Sequence, residues 1–122
     1  MKRLVYALDL KNDPALISEY EHWHRADRVW PDIVRSLRAA GIDAAEIYRT
    51  GNRLMLILEV AENFDPAAKA AADAADTRVQ AWETLMWQYQ QALPWAQPGQ
   101  KWVPMSCIFS LADAWQHIEA TS

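Results

Sequence analysis

The sequence predicts an α+β fold in which one antiparallel sheet carries helices on one face, its elements running β-α-β-β-α-β. Three patterns predict it. Apolar residues alternate at period two in Arg3 to Leu10 and again in Arg53 to Val60, the mark of half-buried strands. Aspartate followed by proline, at Asp13-Pro14 and Asp65-Pro66, opens stretches with helical spacing. Thr50-Gly51-Asn52 supplies a turn that folds two short arms into a hairpin.

In the first strand Leu4, Tyr6, Leu8 and Leu10 share one face, while Val5, Ala7 and Asp9 share the other. Leu16, Ile17, Tyr20, Trp23 and His24 then recur at helical spacing. Pro31 lacks an N–H and drives Trp30 out of helical geometry, so the helix breaks within Arg25 to Pro31 and resumes through Ile33, Val34, Leu37 and Ala40. Gly41 caps it. Glu46 to Arg49 reads as a short strand, and the second hairpin arm puts Leu54, Leu56, Leu58 and Val60 opposite Met55, Ile57 and Glu59. An alanine-rich helix ends near Asp76, which caps the next one. There Val79, Trp82, Met86, Tyr89 and Leu93 form one stripe stopped by Pro94. Pro94 to Lys101 reads as a loop before a last strand of roughly Val103 to Leu111, and the tail from about Asp113 is peripheral. No composition shift or repeat divides residues 1–122, so one domain is expected. This order is the ferredoxin-like plait. Because the strands are apolar on both faces, the side without helices needs a cover, and a second copy of the chain is the simplest one. A homodimer, closing into a dimeric α/β barrel, is the expected assembly.

Composition limits the function. The 122 residues hold 12 Lys+Arg against 16 Asp+Glu, a net charge of −4, so there is no basic field to neutralise phosphates and nucleic acid is not an expected partner. The single cysteine, Cys107, cannot form an internal disulfide. The N-terminus meets Asp9 before a signal-length apolar run develops, and no stretch reaches the ~18 apolar residues of a spanning helix. A cytoplasmic location away from membranes is expected. Seven tryptophans remain, and their flat faces suit a core, a partner surface or a pocket for a molecule with apolar and hydroxylated sides.

Serine-elbow, phosphate-loop and zinc-helix motifs are absent. What stands out is Glu19-Tyr20-Glu21-His22-Trp23-His24, then Trp30-Pro31-Asp32. Tyr20 and His24 lie four apart on one helical face, whereas His22 and His24 diverge by about 200° and cannot share a metal. His24 is either a hydrogen-bonded residue at a helix end or an acid/base that pairs with the phenol to move protons between hydroxyl oxygens. Glu59 is either the solvated end of a strand or a buried carboxylate that orients His24 or accepts a sugar hydroxyl. Trp82, Trp23 and Trp87 are core residues or ligand platforms. Glu83 faces solvent or hydrogen-bonds a polyol at a pocket edge. Cys107 reads as a small buried residue in a strand, since a lone thiol without a base partner is weak evidence for a nucleophile.

These residues resemble a known family. Glu19-Tyr20-x-x-x-His24, Trp30-Pro31-Asp32, a hairpin arm ending in Glu59 and a Gln80-x-Trp82 helix running to Leu93-Pro94 are together similar to the L-rhamnose mutarotase family, from about Lys2 to Leu111. Val79 to Trp87, Lys101-Trp102-Val103-Pro104-Met105 and Ile108-Phe109 look more like its branch that acts on L-fucose. The resemblance implies an isomerase of monosaccharides, a dimeric ferredoxin-like barrel and no metal or organic cofactor. It implies that His24 takes the proton-donor position, that Tyr20 contacts sugar and that Trp82 packs on it. The family's second tryptophan is Glu83 here, its tyrosine near the first hairpin strand is Ala45, and the segment from His24 to Trp30 is two residues longer. Those departures fit a sugar of different hydroxyl stereochemistry.

The expected reaction is interconversion of the α and β anomers of L-fucose, with L-rhamnose as the alternative substrate. His24, Tyr20 and Glu59 are the candidate catalytic groups, and Trp82, Glu83, Trp30 and Tyr48 the candidate sugar contacts. A different class, a small-ligand or haem-binding protein on the same plait with His22 or His24 as axial ligand, stays open because fold does not fix function.

Overall fold

The computed structural model describes residues 2–121. In order these are β1 (Lys2–Leu10), α1 (Pro14–Trp23), α2 (Pro31–Ala39), β2 (Ile42–Thr50), β3 (Arg53–Val60), α3 (Pro66–Ala75), α4 (Thr77–Trp87), β4 (Gln90–Gln91), β5 (Val103–Pro104) and α5 (Leu111–Thr121). The sheet is antiparallel, ordered β2-β3-β1-β4, with β5 also on β1. This is the ferredoxin-like plait, mixed α and β.

Local chemistry explains the elements. The Asp13 carboxylate accepts from the amides of Ala15 and Leu16, Asp65 caps α3 through Ala67, and Asp76 caps α4 through Arg78 and Val79, so each of these helices starts where the sequence predicts. Gly51 takes φ +56° as the first residue of the two-residue turn between the paired Thr50 and Arg53, a conformation that a side chain would strain. Leu8, Leu10, Leu54, Leu58 and Val60 are buried under the helices. Leu10 and Leu54 meet Tyr20 of α1, Ile33 of α2 and Val79, Trp82 and Met86 of α4, while Leu58 and Val60 form a second cluster with Ile42.

Three expectations need correction. The β2 strand is longer than Glu46 to Arg49, because a bulge between Ile42 and Ala44 lets pairing with β3 continue to Val60. Helix α4 ends at Trp87 rather than near Leu93. Tyr89 and Leu93 are buried as the stripe requires, but the amide of Lys11 donates to the Tyr89 carbonyl at 2.8 Å and Gln90 and Gln91 pair with Leu10 and Asp9. Sheet pairing outcompetes two further turns of helix there.

The last strand is only Val103–Pro104 instead of reaching Leu111. Both β4 and β5 lie antiparallel on the same edge of β1, yet Asp9 faces Gln91 and Ala7 faces Val103. The fourth strand of the plait is therefore interrupted by the loop 92–102. Its second piece stops early because Pro104 has no N–H to give, with one last bond from the Met105 amide to the Val5 carbonyl at 2.8 Å. The peripheral tail is helical, and Leu111, Trp115 and Ile118 on α5 are all more than half exposed. No helix among the described residues is long and apolar enough to cross a membrane.

Candidate active site

A cavity of about 670 Å³ lies between the sheet and helices α2, α3 and α4, with Tyr20 and His24 at the end of α1 in its wall. Its wall includes Tyr20, His24, Trp82, Glu83, Gln90 and Trp102, with Ala45, Leu56, Leu58 and Phe64 farther along. A pocket of this size, mostly apolar with a few convergent polar groups, suits a small amphipathic ligand.

The end of α1 builds the polar cluster. Tyr20 sits in its last turn and is 3% exposed, and His24 is the residue that terminates it. His24 Nδ1 lies 2.8 Å from the Tyr20 carbonyl oxygen, and the two rings meet at 4.3 Å between centroids, tilted by 36°. A carbonyl can only accept, so Nδ1 carries the hydrogen and Nε2 is left as an acceptor in the neutral ring. Burial lowers the His24 pKa from its ordinary 6.5, partly opposed by the bond to Tyr20. Burial also pushes the Tyr20 phenol up to about 12, against a lowering bond from Gln90, with the Glu83 charge adding to the rise. At neutral pH the site thus holds a neutral base next to a neutral acid.

Trp82 closes one side. It is 7% exposed and meets the edges of His24 at 5.5 Å and Trp30 at 5.2 Å. Behind it the Arg78 guanidinium stacks over Trp30 at 4.0 Å and bonds to Asp32 at 3.1 Å, tying α4 to α2. Trp23 stands at right angles to Trp82 and donates its N–H to the Tyr89 hydroxyl at 3.1 Å. Glu83 accepts from Lys101 Nζ at 2.8 Å.

Of the residues expected at the site, the fold brings together Tyr20, His24, Trp82 and Glu83. Trp30 meets Trp82 edge to face at 5.2 Å and is not among the residues that line the cavity. Glu59 needs correction. It faces Arg3 across the sheet and binds it at 3.2 Å, on the face opposite the helices, so it neither orients His24 nor reaches the cavity. Tyr48 pairs with Met55 on that same far face and is 51% exposed, away from the cavity. Parity decides both: residues 55, 57 and 59 point away from Leu54, Leu56 and Leu58. Ala45, opposite Leu58, does line the cavity. His22 lies along a separate shallow hollow with Glu19 and Trp23. Among the described residues no cluster of three or more His, Cys, Asp or Glu could hold a metal ion.

Two wall residues are not among those the sequence marks for the site. Gln90 is 5% exposed, and its amide donates to the Tyr20 hydroxyl at a long 3.4 Å while its Oε1 is without a partner among the described residues. A glutamine amid a helical stripe carries no signal of its own. Trp102 enters the sequence reading only within the Lys101 to Met105 resemblance, since its neighbours do not reveal which way the loop turns.

The family model for L-rhamnose mutarotase matches residues 3–111. An L-fucose mutarotase from Xanthomonas campestris pv. campestris is 55% identical over 114 residues, covering 93% of this chain and 91% of that protein. Among solved structures, an L-rhamnose mutarotase from Formosa agariphila superposes with a TM-score of 0.66 at 19% identity, covering 91% of this chain and 99% of that one. Tetracenomycin F2 cyclase from Streptomyces glaucescens, a type-II polyketide cyclase, superposes with a TM-score of 0.61 at 14% identity over 90% of this chain and 96% of its own. At such identities the two structures speak for the fold alone.

Proposed function

We propose, since the chain belongs to the L-rhamnose mutarotase family and is a sugar mutarotase, that its substrate is L-fucose and that His24 and Tyr20 perform the ring opening. The observation that carries the chemistry is the Tyr20–His24 contact: an imidazole whose Nδ1 is held by a carbonyl, which leaves Nε2 as the acceptor, tilted against a protonated phenol at 4.3 Å between ring centres, both in the cavity wall. The 55% identity to the Xanthomonas L-fucose mutarotase supports the choice of sugar.

In this reading His24 Nε2 takes the proton of the anomeric hydroxyl as Tyr20 gives its proton to the ring oxygen. The bond from C1 to the ring oxygen breaks and C1=O forms. The imidazolium offsets the charge left on the phenol. After rotation about C1–C2 the hydroxyl attacks the other face of the aldehyde, Tyr20 recovers its proton, and His24 returns its own to the anomeric oxygen. Protons balance over the cycle. Acid/base catalysis supplies roughly 10²–10⁴-fold, and positioning adds to it, enough for a reaction that already proceeds in water. Trp82 offers its face to the sugar's C–H side.

The working unit in this reading is a cytoplasmic homodimer of single-domain chains. The sheet face opposite the helices carries Val5, Met55, Ile57 and the exposed Tyr48, and the C-terminal segment adds Ile108 and Phe109, 97% and 70% exposed, so there is apolar surface for a second copy to cover.

The deciding experiment is saturation-transfer NMR of anomer exchange with L-fucose, L-rhamnose and D-galactose. Wild type is expected to exchange L-fucose fastest, and His24→Ala to fall to the spontaneous rate. A His24→Ala protein as fast as wild type would sink the assignment.

A further inference from the structure

We propose that Trp102 is a wall of the sugar site and that the Lys101–Glu83 pair positions it, so that loop 92–102 sets which sugar the site accepts. This rests on the mutarotase reading above and names the segment that gives it specificity.

Glu83 follows Trp82 on α4 and borders the cavity, but its carboxylate is engaged. Lys101 Nζ donates to Glu83 Oε2 at 2.8 Å and to the Glu83 backbone carbonyl at 3.4 Å, and sits 5.0 Å from the centre of the Trp87 ring. All three anchors belong to α4, so residue 101 is held to a helix built around Trp82. On its other side the chain enters β5, where Val103 and Pro104 are fixed opposite Ala7 and Tyr6. Trp102 is clamped between these points. It packs against the core cluster that contains Tyr20 and Trp82, and it lines the same cavity as they do.

A side chain held this way loses little further freedom when ligand binds, so its contact area converts well into affinity. An indole face favours the C–H surface of a pyranose, and the positions of axial and equatorial hydroxyls decide where that surface lies. The position of such a wall therefore discriminates among hexoses that differ in one stereocentre. Being an insertion between two pieces of an edge strand, the loop can move the wall without disturbing the Tyr20–His24 pair.

The test measures anomer exchange of L-fucose, L-rhamnose and D-galactose by wild type, Trp102→Ala, Trp102→Phe, Lys101→Met and Lys101→Arg. In parallel, L-fucose is titrated into wild type while the Trp102 indole N–H resonance, assigned by its loss in Trp102→Phe, is followed. Trp102→Ala should raise KM for L-fucose about tenfold with a smaller change in kcat, and should narrow the preference among the three sugars. Lys101→Met should move KM part of the way and Lys101→Arg should restore it, a pattern that loss of fold does not produce. The indole resonance should shift as L-fucose saturates. A KM for Trp102→Ala within about twofold of wild type overturns the proposal. If that variant does not fold, an indole resonance in wild type that ignores saturating sugar overturns it by itself. Wild type that exchanges none of the sugars defeats the mutarotase reading and this proposal together. Wild type that exchanges L-fucose with an indifferent Trp102 defeats this proposal alone.

Discussion

His24 Nδ1 donates to the carbonyl oxygen of Tyr20 across 2.8 Å, one helical turn back, so the end of α1 fixes both the tautomer and the tilt of the ring. The carbonyl it uses is one of those a helix end leaves without an internal partner. The cap of the helix and the base of the site are one interaction.

The first prediction concerns pH. Burial lowers the His24 pKa below 6.5, so its basic form predominates throughout the neutral range. The kcat/KM for L-fucose should be flat around neutrality and fall with acid only below pH 6.5, while His24→Ala should be slower by about 10²–10⁴-fold at neutral pH and lose the acid limb. Stability follows the same sign. The folded protein binds fewer protons at His24 than the unfolded chain, so stability is lost as pH falls from 6.5 through the lower folded value. Exchange rates across a pH series, with thermal melts on the same samples, check both.

The second concerns Tyr20, whose pKa is raised from 10.0 to about 12. Here the folded state holds its proton longer, so stability is intact below pH 10 and declines as pH climbs from 10 toward 12, by roughly 2–3 kcal/mol if this phenol acts alone. Tyr20→Phe should lack that decline and should slow exchange by about 10²-fold at neutral pH. Urea melts at pH 8 and pH 11 on both proteins decide the point.

Much of this was legible beforehand, and the misses share one cause. Strand alternation, aspartate caps and the Gly51 turn are local, so β1, β3 and the starts of α1, α3 and α4 follow from neighbours in sequence. The face parity that puts Glu59 with Met55 and Ile57 was equally local, but which face the helices cover is set by packing across the sheet. Glu59 and Tyr48 were misplaced on that count alone. The end of α4 failed likewise: Tyr89 and Leu93 keep helical spacing, and only pairing of Gln90 with Leu10 shows that the chain has become strand. Trp102 depends on the Lys101–Glu83 contact, a link across 18 residues that periodicity cannot carry.

A third prediction separates the two faces of the sheet. Glu59 bonds to Arg3 far from the cavity, and exposed ion pairs contribute about 0–1 kcal/mol. Glu59→Gln should therefore leave anomer exchange within about twofold of wild type and barely move Tm. Tyr48→Asp, on that same face, should shift a dimer toward monomer in sedimentation velocity, because it places a charge where apolar surface is to be covered. A Glu59→Gln protein as slow as His24→Ala would return the carboxylate to the chemistry.

The fourth follows from an asymmetric ion pair. Asp9 is 4% exposed on the face opposite the helices, and its two oxygens accept from Arg53 Nε at 2.7 Å and a terminal guanidinium nitrogen at 3.1 Å. The arginine side chain is 47% exposed and also lies 5.2 Å from the Trp95 ring centre, on the loop that interrupts the fourth strand. The partners are thus unequal: removing Arg53 strands a buried carboxylate, whereas removing the charge of Asp9 leaves a guanidinium that water can solvate. Arg53→Met should lower Tm at pH 7 more than Asp9→Asn does. Because Asp9 lies beside Gln91 where β4 gives way to the loop, amide exchange in Arg53→Met should quicken first at residues 90–95. Equal melting temperatures for the two variants would show that the pair is not supporting this edge.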